Sequence, residues 1–441
     1  MALLAMSLAL VVITLDLSAL NVAVPAMEDA FHSSIGTMQW ALNGYALAFA
    51  VLLVTAGRLA DLLGRRRVFL AGTIVFAAAA LAGGFATNVW WMIAARVVMG
   101  LGASLMLPAA TGIMYSALPA ARAGLAGAFV VGSFGIGQSI GPLIGGSLTE
   151  YLSWRWVFFV DIPAAALAFL VALREVRSEP THQQERRFDY GGIATLSLAV
   201  FALLFALDQG VDWGWTDPRV LGAFVVSAGS FALFPVVERR AGKSALIPAD
   251  VFRSRAFTAA SVVALLGSPV FFSALFYLPQ FMDKLRGSSA FETGVEALPF
   301  MGALAVASFA AAPVYRRLGP TVALAVGLVG MAAGCAALGF VDGPNYAPLV
   351  PGMVLIGAGL AFFASALTTA AVTALDESER SLASAIIFTF RVGGGALGLV
   401  LMTAIVATSG GFLPGFQDGF RINAGFSVLA LVVTLWAVRR R

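Results

Sequence analysis

One acidic and one basic residue interrupt apolar stretches that are long enough to cross a membrane. Asp16 lies nine residues before Pro25, about 13 Å along a helix at about 1.5 Å per residue, and Arg96 lies at a broadly similar depth in a later stretch. A carboxylate at such a depth is costly unless it faces a cavity or a partner. We therefore expect Asp16 and Arg96 to interact, directly or through water, and protonation of Asp16 to loosen the contact. The alternative is a static buried ion pair that supports the surrounding helices.

Two further charged residues lie in or near apolar stretches and leave alternatives open. Asp161, shortly before Pro163, is either a second titratable group or an interfacial residue that caps a turn, and we favour the capping role. Arg391 lies in a glycine-rich stretch, where it either contacts an anion, forms hydrogen bonds between two parts of the protein, or bonds the backbone carbonyls of its own bend.

The first charged connection in the chain begins at Gly57. Gly57 and Gly64 permit a tight turn, and Asp61 can accept hydrogen bonds from nearby arginines such as Arg65 and Arg66, or from a helix N-terminus. One interpretation is a cytoplasmic latch that is closed in one conformation and broken in the other. The other interpretation is a basic loop that only sets the membrane topology.

The composition is that of a polytopic membrane protein. Of 441 residues, 60% are hydrophobic and 11% are charged, with a mean hydropathy of +0.92, whereas about a quarter of a soluble domain is charged. The single Cys335 excludes a disulfide framework, and His32 and His182 lie in predicted loops, which argues against a His-based catalytic centre or metal site. The first 25 residues lack a basic n-region, so we interpret them as a spanning helix rather than a signal peptide.

A window of about 20 apolar residues predicts fourteen membrane-spanning helices. They are 4–25, 41–57, 68–86, 90–114, 123–148, 155–173, 191–207, 219–237, 257–280, 293–312, 321–340, 348–372, 381–408 and 422–438.

Lysine and arginine are distributed unevenly between the predicted loops. With a cytoplasmic N-terminus, 20 of the 27 basic residues fall in cytoplasmic loops, and the even span count places the C-terminus on the same side. This distribution explains the net charge of +4 and leaves no reason to expect nucleic-acid binding. We expect a multi-pass protein of the cell membrane with both termini in the cytoplasm.

Weak internal repetition divides the chain into two halves. A shift of 257 residues aligns glycines such as Gly137 and Gly141 with Gly394 and Gly398. The predicted fold is all-α and integral to the membrane: a six-helix bundle at 1–173, a pseudo-symmetric bundle at 257–441, and an insert at 174–256 with two extra helices and basic loops. We expect the extra helices to pack peripherally.

The repeat is not exact at the charged positions. The same shift aligns Asp16 with Ser273 and Arg96 with Met353, so we expect proton chemistry, if present, in the first half. A shift of 255 places Arg316 opposite Asp61, so any latch is asymmetric.

Glycines recur every four residues in the fifth predicted span. Gly137, Gly141 and Gly145 therefore share one helix face, where another helix can approach closely, and Pro142 removes a backbone hydrogen bond.

Several ordered motifs together resemble the major facilitator superfamily, and within it the drug:proton antiporter branch with fourteen helices. The resemblance covers essentially the whole chain. Its motifs are Gly57-x-Leu59-Ala60-Asp61-x-x-Gly64-Arg65-Arg66, Leu15-Asp16 through Pro25, Gln39-Trp40 with Tyr45, Arg96-x-x-x-Gly100-x-Gly102-Ala103, Gly137-x-x-x-Gly141-Pro142-x-x-Gly145-Gly146, and Trp154-Arg155-Trp156-Val157-Phe158-Phe159.

The resemblance implies a transporter rather than an enzyme. It implies a proton-coupled antiporter that exports hydrophobic small molecules such as drugs or antibiotics by alternating access, with the glycine and proline motif of the fifth span favouring exchange. We expect no cofactor, with the proton as the coupling ion. The expected partners are a hydrophobic substrate and membrane lipid, and we expect the protein to be a monomer. The alternatives are a dedicated exporter or uniporter of one metabolite and a non-transporting membrane sensor.

Polar and aromatic residues in the predicted spans are candidates for substrate contact, because such pockets combine apolar walls with a few polar groups. They are Asn43, Tyr45, Gln138, Phe272, Phe276, Tyr277, Gln280, Phe362, Phe363 and Arg391. Each aromatic has the alternative of facing lipid or the helix core.

Overall fold

A computed structural model describes residues 2–33, 35–119, 122–176, 189–288 and 290–439. Within these ranges the chain is almost entirely helical and has no β-strand, which confirms the all-α fold class. The α-helices are α1 (Ala2–Phe31), α2 (Ile35–Leu63), α3 (Arg65–Gly84), α4 (Val89–Ser116), α5 (Ala123–Tyr151), α6 (Trp156–Phe159), α7 (Asp161–Glu175), α8 (Tyr190–Trp213), α9 (Pro218–Ala241), α10 (Arg255–Gly267), α11 (Pro269–Arg286), α12 (Ala290–Glu296), α13 (Leu298–Leu338), α14 (Leu349–Thr373), α15 (Arg380–Thr408) and α16 (Phe412–Arg439).

Short polar side chains begin several of these helices. Asn88 accepts a hydrogen bond from the Trp91 backbone N–H at 2.9 Å at the start of α4, and Asp189 accepts one from Gly192 at 2.7 Å at the start of α8. Each bond satisfies a backbone donor that the helix itself leaves without an acceptor. Local polar residues thus decide where the long apolar stretches become helical.

The first helix does not end where the sequence suggested. Pro25 lies inside α1, which continues to Phe31. Asp16 is therefore 15 residues, or about 22 Å at about 1.5 Å per residue, from the end of α1. The predicted depth of Asp16 took Pro25 as the end of the helix. That depth is wrong, because the helix ends at Phe31.

Two predicted spans are interrupted in the structure. The span 155–173 is broken at Val160 between α6 and α7, and the span 257–280 is broken at Ser268 between α10 and α11. Both breaks keep the chain direction, since the next helix begins at the following residue.

Most of two other predicted spans, 293–312 and 321–340, lies in the single long helix α13, and the first residues of the span 293–312 belong to α12. The 41 residues of α13 are interrupted at Gly319, whose backbone is non-helical with φ 81° and ψ 172°. A straight helix of that length would measure about 60 Å, twice the roughly 30 Å core of a bilayer. The described residues contain 13 helical stretches long and apolar enough to cross a membrane. The count of fourteen spans stays a prediction, which the break at Gly319 supports.

The helices before the insert pack around α4. Helices α2 and α3 lie against α4, while α1 lies along α5 and also contacts α7. After the insert, α13 packs along α14 and α16, and α10 packs against α15 and α16. The two sets of helices meet where α2 contacts α15 and where α5 contacts α13. The division into two six-helix bundles stays a prediction.

The insert contributes the helix pair α8 and α9. These helices pack on each other, and Ser227 of α9 donates a hydrogen bond to the Ala199 carbonyl of α8 at 2.9 Å. Helix α8 also contacts α2 and α15. The predicted loop between α7 and α8, which includes His182, lies outside the described residues.

Candidate functional site

The buried charges Asp16 and Arg96 are in direct contact. Arg96 Nη1 lies 2.7 Å from each carboxylate oxygen of Asp16, and both side chains are 0% exposed. Helix α1 supplies the carboxylate and α4 the guanidinium. A charge-assisted hydrogen bond at this distance is among the strong polar contacts in proteins.

Helix α2 completes the surroundings of the Arg96 guanidinium. Arg96 Nε donates to the Ala41 carbonyl at 3.1 Å, and the Tyr45 ring centroid lies 4.3 Å from Arg96 Cζ. The helices reach this distance because Gly100 of α4 lies against the Tyr45 backbone, where an added Cβ would lie 2.4 Å from the carbonyl oxygen. The sequence predicted Tyr45 as a substrate contact, whereas in the structure its ring lies against the Arg96 guanidinium.

A second carboxyl group, that of Asp161, faces the same pair. It is 1% exposed and lies within electrostatic range of both Asp16 and Arg96. Neither of its oxygens has a hydrogen-bond partner among the described residues. The favoured prediction, that Asp161 caps a turn, is therefore wrong, because a capping side chain accepts a backbone hydrogen bond.

The glycine face of α5 holds α1 in position beside these charges. A Cβ added at Gly137 would lie 2.0 Å from Thr14 Oγ1, one at Gly141 1.8 Å from Ser18 Oγ, and one at Gly145 2.4 Å from the Ala19 carbonyl oxygen. Only a residue without a side chain fits at these positions.

The rest of the motif lies off this face. Pro142 is inside α5 and half-buried, and a Cβ at Gly146 would meet Val22 at an ordinary 3.6 Å.

A second cluster of buried charges joins the helices before the insert to those after it. Asp61 of α2 accepts hydrogen bonds from Arg65 Nε at 3.1 Å and from the backbone N–H groups of Ser381 at 3.3 Å and Leu382 at 2.8 Å. The last two donors belong to the first turn of α15, where a helix favours negative charge. Both kinds of partner that the sequence suggested for Asp61, an arginine and a helix N-terminus, are present together.

Arg65 extends this cluster towards α4 and the turn before α15. Its Nε also donates to Ser381 Oγ at 3.1 Å, its Nη1 donates to Ser116 Oγ at 2.6 Å, and its Nη2 donates to the Glu377 carbonyl. The side chains of Asp61 and Arg65 are 2% and 3% exposed. The buried network contrasts with an ordinary topogenic loop, whose arginines are solvated.

Further contacts cross between the two sets of helices at the same end of the molecule. Arg380 Nη1 donates to the Tyr115 carbonyl at 3.3 Å, and the hydroxyl groups of Tyr115 and Thr369 share a hydrogen bond at 2.9 Å. Gly57 allows α2 to approach α15, since an added Cβ would lie 2.6 Å from Ala385 Cβ. This is the end that carries the first basic connection.

Two residues of the predicted latch, Gly64 and Arg66, make no contact across the two sets of helices that is described above. Gly64 adopts φ 98° between α2 and α3, a conformation that glycine adopts readily. Arg66 Nη2 donates to the Leu173 carbonyl of α7 at 2.6 Å, which is a contact within the first set of helices.

A cavity lies between α4, α5, α14 and α15. It is narrow in this conformation and is lined by Leu107, Thr111, Val130, Phe134, Thr368, Ser384, Ile387, Phe388 and Arg391. Apolar walls with a few hydroxyl groups and one cation are typical of a small-molecule site.

Of the predicted substrate contacts, Arg391 is the one that lines this cavity. Tyr277 and Phe363 are buried, Tyr277 donating to Thr403 Oγ1 at 2.9 Å and Phe363 packing on Gly267. Phe276 is 48% exposed on the surface of α11, and Gln280 accepts a hydrogen bond from Lys284 at 2.8 Å.

The remaining candidates do not line the cavity either. Asn43 donates to Asp208 of α8 at 2.9 Å, and Phe272 packs on Gly395. Gln138 and Phe362 are half-buried outside the cavity lining.

The hydroxyl groups that line the cavity were not among the substrate contacts predicted from the sequence. The internal repeat contains a signal for them, because the 257-residue shift aligns Thr111 with Thr368, and Phe134 with Arg391. All four of these residues line the cavity. Residues related by the internal repeat face each other across the cavity. Selecting candidates by this relation would have identified the lining residues better than selecting them by residue type.

Comparison with known proteins identifies the family. Residues 6–399, and again 295–441, match the family model described as Major Facilitator Superfamily. The chain is 33% identical over 412 residues to the tetracenomycin C resistance and export protein of Streptomyces glaucescens, over 92% of this chain and 76% of that protein. It is 30% identical over 409 residues to the multidrug resistance protein Stp of Mycobacterium tuberculosis, over 92% of this chain and 75% of that protein.

A solved structure shows the same fold. The crystal structure of the human organic anion transporter MFSD10 (TETRAN) matches with a TM-score of 0.69 over 98% of this chain and 97% of that chain, at 15% sequence identity. The predicted resemblance is thereby confirmed: this multi-pass membrane protein belongs to the Major Facilitator Superfamily of transporters.

Proposed function

We propose that the protein is a proton-coupled antiporter that exports hydrophobic small molecules, including drugs or antibiotics, across the cell membrane. Membership of a transporter family and the export and resistance functions named for its relatives support the export of such compounds. The buried contact between Asp16 and Arg96 carries the proposal of proton coupling.

Alternating access would involve the two predicted bundles, 1–173 and 257–441. The contacts of Asp61, Arg65 and Arg380 hold the bundles together at the end that we predict to be cytoplasmic. These contacts support a state in which the end that we predict to be cytoplasmic is closed. Opening that end requires these contacts to break.

The proton would act on the bond between Asp16 and Arg96. An ionised Asp16 accepts the hydrogen bonds of Arg96, whereas protonation removes its charge and weakens that attraction. The glycine face of α5 places α1 so closely that a shift of Asp16 is transmitted to α5. In the proposed cycle Asp16 takes up a proton from outside and releases it inside as the substrate binds.

Asp161 belongs to the same proposed proton site. Two buried carboxyl groups and one guanidinium would carry a net negative charge if all were ionised, and a buried charge without a partner is costly. A single proton shared by Asp16 and Asp161 makes the group neutral. A shared proton would join the two carboxyl groups by a hydrogen bond and would supply the partner that Asp161 otherwise lacks among the described residues.

The decisive experiment uses proteoliposomes with an imposed pH gradient and tetracenomycin C as the first probe. We expect the gradient to drive uptake by the native protein, and Asp16→Glu to retain pH-dependent uptake because it keeps a carboxyl group. Asp16→Asn should still exchange the probe down its own gradient but should gain nothing from the pH gradient.

The proposal of proton coupling is wrong if the gradient drives no movement of a probe that the native protein exchanges. It is also wrong if Asp16→Asn couples as the native protein does. A growth test in an efflux-deficient host, with tetracenomycin C and a panel of lipophilic antibiotics, would identify further probes.

A further inference from the structure

Arg391 lies in the central cavity without a partner of opposite charge. Its Nε forms no hydrogen bond with any described residue, and its one aromatic neighbour is the Phe388 ring, whose centroid lies 5.6 Å from Cζ. The bonds to backbone carbonyls of its own glycine-rich bend, which the sequence left open, are not formed. A cation in the membrane interior is expensive and is in general a functional group.

The acidic residues of the described membrane-spanning helices lie outside the cavity lining, and Asp161 lies beside Asp16 and Arg96. Asp16 contacts Arg96, and Asp61 contacts Arg65. Asp208 accepts hydrogen bonds from Asn43 and from Gln209 Nε2. None of the residues lining the cavity is acidic. The counter-charge of Arg391 must therefore come from solvent or from a ligand.

The two walls of the cavity differ in character. The first half supplies Leu107, Val130 and the Phe134 ring, whereas the corresponding repeat position in the second half supplies Arg391. Phe134 and Phe388 lie 5.7 Å apart between ring centroids. A ligand would therefore meet the Phe134 ring on one side and, on the other side, Arg391 with the Phe388 ring beside it.

We propose that this cavity binds small aromatic molecules that carry a carboxylate or a similar oxyanion, with the oxyanion on Arg391 and the ring against Phe134 and Phe388. A planar guanidinium donates paired hydrogen bonds to an oxyanion, which a lysine ammonium does not. The cavity hydroxyls of Thr111, Thr368 and Ser384 provide further donors. This inference rests on the proposed export function, since it names the class of substrate.

The test compares two probes that differ in charge but hardly in shape, 2-naphthoate and 2-naphthamide. Binding to the purified full-length protein is measured by calorimetric titration, without a pH gradient. We expect the native protein to bind the acid at least about tenfold more tightly than the amide. Arg391→Gln should lower acid binding to about the level of amide binding in the same variant, and Arg391→Lys should keep part of the preference.

Arg421→Gln is the matched control, because Arg421 is an exposed arginine paired with Asp418 at 2.9 Å and lies outside the cavity. It should bind both probes as the native protein does. Thermal unfolding shows whether Arg391→Gln is folded, and the two probes on the native protein test the inference if it is not.

The inference is overturned if the native protein binds both probes equally or binds neither, or if a folded Arg391→Gln keeps the preference for the acid. These outcomes are separate from those for proton coupling. An acid preference without gradient-driven transport sustains the binding site alone, and gradient-driven transport without the preference overturns only the substrate class.

Discussion

Two buried arginines of this protein have opposite surroundings. Arg96 has a carboxylate at 2.7 Å, a backbone carbonyl and an aromatic ring, whereas Arg391 has a ring and the space of a cavity. Breaking a buried ion pair is costly because it leaves one charge without compensation. The first arginine should therefore matter for the stability of the protein, and the second for what it binds.

Substitution of Asp16 should destabilise the protein. Asp16→Asn leaves the Arg96 guanidinium 0% exposed and without its hydrogen-bonded counter-charge, and Asp161, the other carboxyl group in electrostatic range, forms no hydrogen bond with it, so the cost should approach about 3–5 kcal/mol. In the double variant Asp16→Asn with Arg96→Gln the buried guanidinium is gone and Asp161 can stay protonated, so the double variant should be more stable than Asp16→Asn alone. Thermal unfolding in detergent measures both, and equal stability of the native protein and Asp16→Asn would contradict the prediction.

Substitution of Asp161 should change how steeply transport depends on pH. Asp161→Asn removes one of the two carboxyl groups that share the proposed proton, so gradient-driven uptake should follow a shallower pH profile. Asp161→Glu should restore the native slope, because it replaces the carboxyl group. If Asp161→Asn leaves the profile unchanged, Asp161 is not part of the proton site.

At the scale of helices, the contact of α5 with α1 determines where Asp16 lies. Gly145 faces the backbone of α1, while a Cβ at Gly146, one residue later, would make only an ordinary van der Waals contact with the Val22 side chain. The backbone of α1 cannot move aside as a flexible side chain can. The two neighbouring glycines therefore form a matched pair for testing close packing.

Gly145→Ala should weaken the packing of α1 on α5. The new Cβ would lie 2.4 Å from the Ala19 carbonyl oxygen, and overpacking of this kind costs about 1–3 kcal/mol. Gly146→Ala, with a contact of 3.6 Å, should be neutral or slightly stabilising because alanine favours helix formation. Thermal unfolding of the two variants provides the comparison, and equal effects would argue against a packed glycine face.

The sequence predicted those parts of the fold and site that depend on pattern. Apolar stretches located the helices, although α1, α2 and α16 extend well past the predicted ends, and the isolation of Asp16 and Arg96 among apolar neighbours indicated their contact. The sequence did not predict where a helix ends or which way a side chain faces on it. Pro25 lies within α1, and Tyr277 and Phe363 face the protein core rather than the cavity. The direction that a residue faces on an apolar helix depends on its neighbours, which residue type alone does not specify.

At the scale of the whole molecule, a buried hydrogen-bond network around Asp61 and Arg65 closes the end that we predict to be cytoplasmic. Asp61 and Arg65 connect α2 with α15, so a movement between the two predicted bundles must break their contacts. In the structure this end is closed, and the network has its partners from both sides. The network should therefore shift the balance between the two transport states rather than the stability of either bundle.

Asp61→Asn should shift the conformational balance towards the state that is open at the predicted cytoplasmic end. Hydrogen bonds to a buried charge contribute about 1.5–3 kcal/mol, which corresponds to a shift of about 10- to 100-fold. Spin labels at Glu150 and Asp342, exposed positions on the opposite predicted side, should move closer together. Electron paramagnetic resonance measures this distance in a Cys335→Ser background.

Asp250→Asn provides the control for this measurement. Asp250 pairs with Arg253 at 2.6 Å, but both side chains are about 80% exposed, and such surface pairs contribute little. The distance distribution of this variant should match that of the native protein. A native distribution for Asp61→Asn as well would leave only a topogenic role for the loop.

Asp61 contacts α15 through main-chain N–H groups of Ser381 and Leu382. Almost every amino acid supplies such a donor, so during evolution most substitutions at Leu382 preserve this bond, and proline is the exception because it lacks the N–H group. On the α2 side this bond needs the carboxylate side chain of Asp61, whereas on the α15 side it needs only the main chain. A change at Leu382 that keeps its N–H group should therefore leave the bond in place, whereas removal of the Asp61 carboxylate should not.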